Sequence, residues 1–172
     1  KQKQFFYTGK TREISFRLNT LKKIYDSIEK YESEIMEALY RDLHKGKTEV
    51  FTSEIVYVQK EIKHQMANLK KWSRPRKIGV PLINKPGKGY LQYEPYGTAL
   101  IISPWNYPFG LLLTPLVGAV AAGNCVIAKP SELSEHTSRL VSSIFKENFP
   151  ENYMAVVEGD AEVTQNLIQE DI

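Results

Sequence analysis

Residues 95–128 hold no charged side chain, in a chain of 172 residues of which 25% are charged. Such a run has to leave water, either for a membrane or for a large core. A spanning helix needs about 20 predominantly apolar residues without strong breakers. Here Pro104, Asn106, Pro108, Gly110, Pro115, Gly118, Gly123 and Asn124 interrupt the run, so the core reading fits better. The segment TALII at 98–102 has the form of a buried strand. Residues 103–107 make a turn. Pro108 suits the first position of a helix, where its missing N–H would be unpaired anyway. Residues 109–122 then predict a buried helix, bent near Pro115 and ended by Gly123. Residues 124–128 predict the next buried strand. Ligands of such a strand–helix–strand unit lie beyond the carboxyl ends of the strands. Asn106 and Lys129 sit at such ends.

The rest of the chain frames this unit. Residues 12–45 predict helix: Ile14, Leu18, Leu21, Ile24 and Ile28 recur at steps of three and four, and Tyr31, Ile35, Leu39 and Leu43 continue at steps of four after a break near Tyr31. Thr11 is a candidate N-cap and Gly46 a candidate C-cap. A second long helix carries the stripe Phe51, Ile55, Val58, Ile62, Met66, Leu69 and Trp72, and Pro75 stops it. Residues 74–89 form a Pro- and Gly-rich basic linker. A hairpin is expected over 90–102. Beyond residue 132 the pattern predicts a helix from Ser134, a short strand at 154–157 closed by Gly159, and a helix at 161–170. The fold class is therefore α/β. Helices fill 1–75, a linker and an oligomerisation-type hairpin fill 76–97, and 98–172 form the first part of a parallel, Rossmann-like sheet. The pattern ends at Asp171-Ile172, where another strand is due, so the domain reads as cut short; the start at Lys1 reads as trimmed.

Charge and cysteine usage exclude some functions. A net charge of +3, with no basic face, argues against nucleic acid. The single cysteine, Cys125, rules out an internal disulfide and fits a reducing compartment. The opening KQKQFFYTGK has no apolar signal core. A cytoplasmic protein without a membrane span is expected.

The candidate chemistry lies in the charge-free run and just after it. The Asn106 amide can donate two hydrogen bonds without carrying charge, as a donor to a developing oxyanion does. The alternative is a turn residue bonded to its own backbone. Lys129 and Glu132 follow the second strand, where an acidic group can accept from ribose hydroxyls and an ammonium can add a donor. The alternative for Glu132 is a first-turn carboxylate facing a helix dipole. SPWNYPFG is not G-x-G-x-x-G, so an ordinary Rossmann phosphate turn is excluded there. Cys125 opens an apolar strand with no His or Lys within several residues to lower its pKa, which argues against a nucleophile. His44, His64 and His136 lack metal-ligand spacing.

The stretch SPWNYPFGLLLTPLVGAVAAGNCVIAKPSELS resembles the aldehyde dehydrogenases, and within them the class-three branch. The likeness runs from FRLNTLKKI through EPYG to VVEGD. It implies the N-terminal portion of an NAD- or NADP-dependent enzyme that oxidises aldehydes to carboxylic acids through a cysteine thiohemiacetal and thioester. It gives Asn106 the oxyanion, sets Ser103, Pro104 and Trp105 against the cofactor, and lets Lys129, Ser131 and Glu132 of KPSE hold the adenosine ribose. Tyr57 and Tyr107 would line the aldehyde channel. The hairpin would serve a homodimer. The family's sheet lacks the glycine fingerprint, which accounts for its absence here. Its nucleophilic cysteine and catalytic glutamate would lie beyond residue 172, so this portion alone is expected to be inactive. Two alternatives stay open: an acyl-CoA-forming relative, and a non-catalytic interaction module on a nucleotide-binding remnant.

Overall fold

The computed structural model describes residues 1–170. The end at Asp171-Ile172, where a further strand is expected, lies outside the described residues. The front of the chain is helical, in α1 (Gln2–Tyr7), α2 (Ile14–Lys30), α3 (Glu32–Leu43), α4 (Lys47–Val50) and α5 (Val56–Trp72). The apolar residues of α2 and α3 recur at helical spacing, so Leu21, Ile24, Ile28, Ile35 and Leu39 all face inward and are buried. The break at Tyr31 falls where expected, between α2 and α3.

Both expected caps are corrected. Thr11 is buried in a short 3₁₀ turn at Lys10–Arg12, and Glu13 takes the N-cap position of α2. The chain leaves α3 through His44 in the left-handed conformation, φ 54°, so Gly46 opens α4 and does not close α3. A single left-handed residue costs histidine less than most. The second stripe is also altered. A π-helical turn, Phe51–Ile55, joins α4 to α5 and shifts the register, so Phe51 turns outward and Trp72 at the far end is exposed as well. The buried face reads Val50, Glu54, Ile55, Val58, Ile62 and Leu69, with a glutamate among the aliphatics.

The hairpin is formed differently from the expectation. β1 (Arg76–Ile78), inside the stretch read as linker, pairs antiparallel with β2 (Gly89–Leu91). Residues 98–102 form β3 (Thr98–Ile102) in a separate parallel sheet with β4 (Cys125–Lys129) and β5 (Met154–Val156), in the order β3-β4-β5. The two ladders divide because residues 98–102 are apolar enough to enter the core, whereas 76–91 carry Arg76, Lys77, Lys85 and Lys88 among prolines and glycines. The ladder of β3 and β4 pairs Thr98 with Cys125 and Ile102 with Lys129, so their carboxyl ends are level.

Between β3 and β4 runs α6 (Gly110–Ala122), packed against α2, α5 and the sheet. Leu112, Leu113, Leu116, Val117 and Val120 are buried, which is where the charge-free run goes. Pro108 lies two residues ahead of the helix and not at its first position. The Tyr107 carbonyl already accepts the Leu111 N–H at 2.9 Å, and the proline shapes the turn before it. α7 (Glu135–Asn148) packs on α3 and β5, and α8 (Ala161–Gln169) is capped by Asp160, which accepts from the N–H groups of Glu162 and Val163. Among the described residues no helix is long and apolar enough to cross a membrane.

Arg17 ties the front to the sheet layer. Its buried guanidinium donates to the carbonyls of Thr11 at 2.7 Å, Arg12 at 2.9 Å and Ala121 at 3.3 Å, filling the carboxyl end of α6. Gly123 ends that helix at φ 95°, and a Cβ there would stand 2.7 Å from a guanidinium nitrogen. Gly123→Ala is therefore expected to cost about 1–3 kcal/mol, seen as a lower thermal midpoint of the intact protein. An unchanged midpoint would contradict this role for the glycine.

Candidate functional site

The site lies where β3 and β4 end together. The Ser103 N–H donates to the Lys129 carbonyl at 3.1 Å, one step past the ladder. Pro104, Trp105, Asn106 and Tyr107 then turn outward and are exposed, while Ser103 stays buried, its hydroxyl without a hydrogen-bond partner among the described residues. The Asn106 Oδ1 accepts the N–H of Tyr107 at 3.2 Å. Both readings of Asn106 meet in this bond. The side chain does bond its own turn, but through the carbonyl oxygen, and the NH₂ finds no protein acceptor among the described residues. A neutral donor facing outward from a turn can stabilise a developing oxyanion.

The second strand brings a charged pair to the same edge. Lys129 is 1% exposed, and its Nζ donates to Glu132 Oε2 at 2.7 Å. An ammonium so buried needs a partner, and the KPSE turn supplies it three residues on. The Lys129 hydrogen bond holds the Glu132 carboxyl below its ordinary range, so it is a carboxylate at neutral pH. One ammonium hydrogen of the three goes to Glu132, and half of the glutamate side chain faces solvent. The donor set, an ammonium beside a carboxylate, fits a vicinal diol. Ser131 is spent on local structure: its hydroxyl accepts the Leu133 N–H and its carbonyl takes the Ser138 hydroxyl at 2.7 Å. Ser134, in the same segment, donates its hydroxyl to the Trp105 carbonyl at 3.1 Å and so links the two strand-end turns.

Residues not singled out in the sequence hold the other side of the Asn106 turn. Glu54, fully buried in the π turn, accepts the N–H groups of Phe109 and Gly110 on Oε2, at 3.0 Å each. Its Oε1 takes Lys45 Nζ at 2.6 Å. Lys45 also donates to the Asn106 carbonyl at 2.8 Å and lies 3.7 Å over the Tyr107 ring. Asp42 accepts the N–H groups of His136 and Thr137 at 3.0 and 2.8 Å, capping α7. Burial works to raise the Asp42 pKa, and the hydrogen bonds from Thr137 and His136 outweigh it, so the carboxyl lies below its ordinary range. One signal in the sequence could have found Glu54. Val50, Glu54, Val58 and Ile62 stand at steps of four, which places a carboxylate on a buried stripe.

Tyr57 and Tyr107 are both exposed, one on α5 a turn beyond Glu54 and the other beside Asn106. Cys125 is fully buried at the far end of β4, and burial pushes its thiol up to about 11. It is a thiol at neutral pH and packs as a core residue. Among the described residues no group of three or more His, Cys, Asp or Glu could hold a metal ion. Alkylation resolved by mass spectrometry at pH 8 is expected to label Cys125 roughly 100-fold more slowly in folded than in denatured protein. Equal rates would show that the thiol is accessible and ionisable.

Comparison with known proteins defines the class. Residues 3–172 match the sequence profile of the aldehyde dehydrogenase family, and the chain belongs to that family. It is 48% identical over 166 residues to 4,4'-diaponeurosporen-aldehyde dehydrogenase of Staphylococcus aureus (strain NCTC 8325 / PS 47), which covers 96% of this chain and 36% of that protein. It is 35% identical over 168 residues to aldehyde dehydrogenase family 3 member A2 of Macaca fascicularis, covering 98% of this chain and 35% of that protein. The relatives thus include a member of aldehyde dehydrogenase family 3, in line with the class-three resemblance. Among solved structures, the substrate-bound state of Staphylococcus aureus AldH superposes with a TM-score of 0.95 at 48% identity, covering 97% of this chain and 36% of that one. PnpE from Pseudomonas sp. WBC-3 shares the fold, with a TM-score of 0.84 at 22% identity, over 98% of this chain and 34% of that one. The chain spans about a third of the length of these relatives.

Proposed function

We propose that these residues are the N-terminal portion of an NAD(P)-dependent aldehyde dehydrogenase that oxidises aldehydes to carboxylic acids through a cysteine thiohemiacetal and thioester. The observation that carries the reading is the Asn106 amide. Its carbonyl oxygen is engaged by Tyr107 and its NH₂ has no protein acceptor among the described residues, at a strand end level with the Lys129–Glu132 pair.

In this reading Asn106 donates to the oxygen of the aldehyde as negative charge develops on it, and costs no reorganisation because the turn already aims it. Lys129 and Glu132 bind the two hydroxyls of the adenosine ribose, as donor and acceptor. The Ser103 backbone and the Pro104-Trp105 turn lie along the cofactor, and Ser131 shapes the loop that carries Glu132. Bound NAD or NADP supplies the hydride acceptor. Tyr57 and Tyr107 present aromatic surface to the aldehyde. The attacking thiolate comes from outside residues 1–172, because Cys125 is buried at the opposite end of its strand, roughly 13 Å from Lys129 at about 3.3 Å per residue. Residues 1–172 alone should therefore give no turnover with NAD(P) and a panel of aldehydes. Turnover that Cys125→Ser abolishes would overturn that view.

Asn106→Ala in the full-length enzyme is expected to lower kcat by about 10²–10³-fold, the usual loss for one oxyanion donor, while cofactor affinity changes little. Steady-state kinetics with wild-type kcat would remove the role. Lys129→Ala and Glu132→Ala should each raise the cofactor Kd about tenfold or more, the scale of a hydrogen bond to a charged group, with kcat at saturation largely kept. Fluorescence titration showing wild-type affinity in both variants would contradict the ribose assignment.

The hairpin supports a further part of the proposal. Ile78, Leu82, Ile83, Tyr90, Tyr93 and Tyr96 are all exposed on β1, β2 and their flanks, an apolar surface that soluble proteins cover by association. We assign it to contact with a second subunit in a homodimer. Sedimentation of the full-length protein should give a dimer, and a monomer over a wide concentration range would refute this.

A further inference from the structure

We infer that Lys45 and Glu54 are positioning residues for the oxyanion donor; this rests on the reading of Asn106 as that donor. The first N–H groups of any helix lack partners within it. At α6 the N-cap residue is Phe109, which has no side chain to offer them. Glu54 takes the place of a cap from across the fold, 55 and 56 residues away in sequence, with one carboxylate oxygen on the N–H groups of Phe109 and Gly110. A carboxylate at a helix N-terminus is also favoured by the helix dipole.

Capping alone would need only Glu54. The lysine shows that more is held than the helix end. Lys45 neutralises Glu54 Oε1 and then spends its remaining donors on the two residues that face the site, the Asn106 carbonyl at 2.8 Å and the Tyr107 ring at 3.7 Å. Both members of the pair are screened from water, with side chains 10% and 0% exposed. Asn106 is thereby fixed through its own backbone at one side, while Ser134 fixes the Trp105 carbonyl at the other. The orientation of the Asn106 NH₂ follows from these two anchors and from its bond to Tyr107. Displacing a positioned catalytic group by about 1 Å can cost on the order of 10²-fold in rate.

The test is a double-mutant cycle in the full-length enzyme with aldehyde and NAD(P). Lys45→Met is expected to lower kcat roughly 10–100-fold while the cofactor Kd stays within about twofold of wild type. In an Asn106→Ala background the same change should cost less than about twofold more, because the donor it positions is gone. Lys45→Met leaves the Glu54 carboxylate buried without its ion-pair partner, so the paired variant Lys45→Met/Glu54→Gln, which removes both charges together, is measured in parallel with its thermal midpoint. It should show the same kcat loss and the same non-additivity. Equal losses with and without Asn106, an unchanged kcat, or a loss confined to cofactor Kd would each overturn the positioning role. A wild-type enzyme that turns over no aldehyde would instead overturn the functional reading, and this inference with it.

Discussion

A carboxylate removed from water must be given back nearly all of its hydrogen bonds and a countercharge, and Glu54 is in that position. It receives two backbone N–H groups and one ammonium. Removing one partner from a buried pair of this kind typically costs about 3–5 kcal/mol, so the segments that supply the partners cannot drift apart. Those segments are the π turn, the loop after α3 and the start of α6. Through this group the helical front is tied to the start of α6 at the place where the Asn106 turn leaves the core, as Arg17 ties it at the other end of that helix.

The same turn is held from the sheet side by different chemistry. The ladder of β3 and β4 ends in register at Ile102 and Lys129, and Ser134 reaches back to the Trp105 carbonyl. Lys129 is itself buried and is matched by Glu132 within the same loop. Two cations drawn back from solvent, Lys129 buried and Lys45 partly so, flank the exposed residues 104–107, each paired with its own carboxylate. The surface between them is left with a neutral amide, aromatic rings and the half-exposed Glu132 carboxylate.

Much of the fold was legible because burial is so one-sided in residues 95–128. A charge-free run with turn residues at 103–108 and 123–124 has few ways to fold other than strand, turn, helix, strand. The placement of Asn106, Lys129 and Glu132 just beyond strand ends was legible from the same pattern. The misreadings have local causes. Thr11, Gly46 and Pro108 were placed by local cap rules, yet the structure caps α6 and α7 with Glu54 and Asp42 from distant elements. The hairpin partner of β2 was misassigned because the short basic strand Arg76–Ile78 carries no apolar alternation to announce it.

The sequence by itself determined which residues leave water and in what order the elements follow, because hydrophobic periodicity and chain-breaking residues act locally. It also determined the chemical character of the strand ends at Asn106, Lys129 and Glu132. Only the tertiary structure decided which charges are buried and what satisfies them. Lys45 looks like a surface residue in a linear reading, and the apolar stripe that carries Glu54 does not say what satisfies its carboxylate. The π turn rotates Glu54 into the core, and the left-handed His44 lets the chain carry Lys45 back over it. Desolvation then forces the two together and onto the Asn106 turn, a pairing set by three-dimensional proximity that no local pattern encodes.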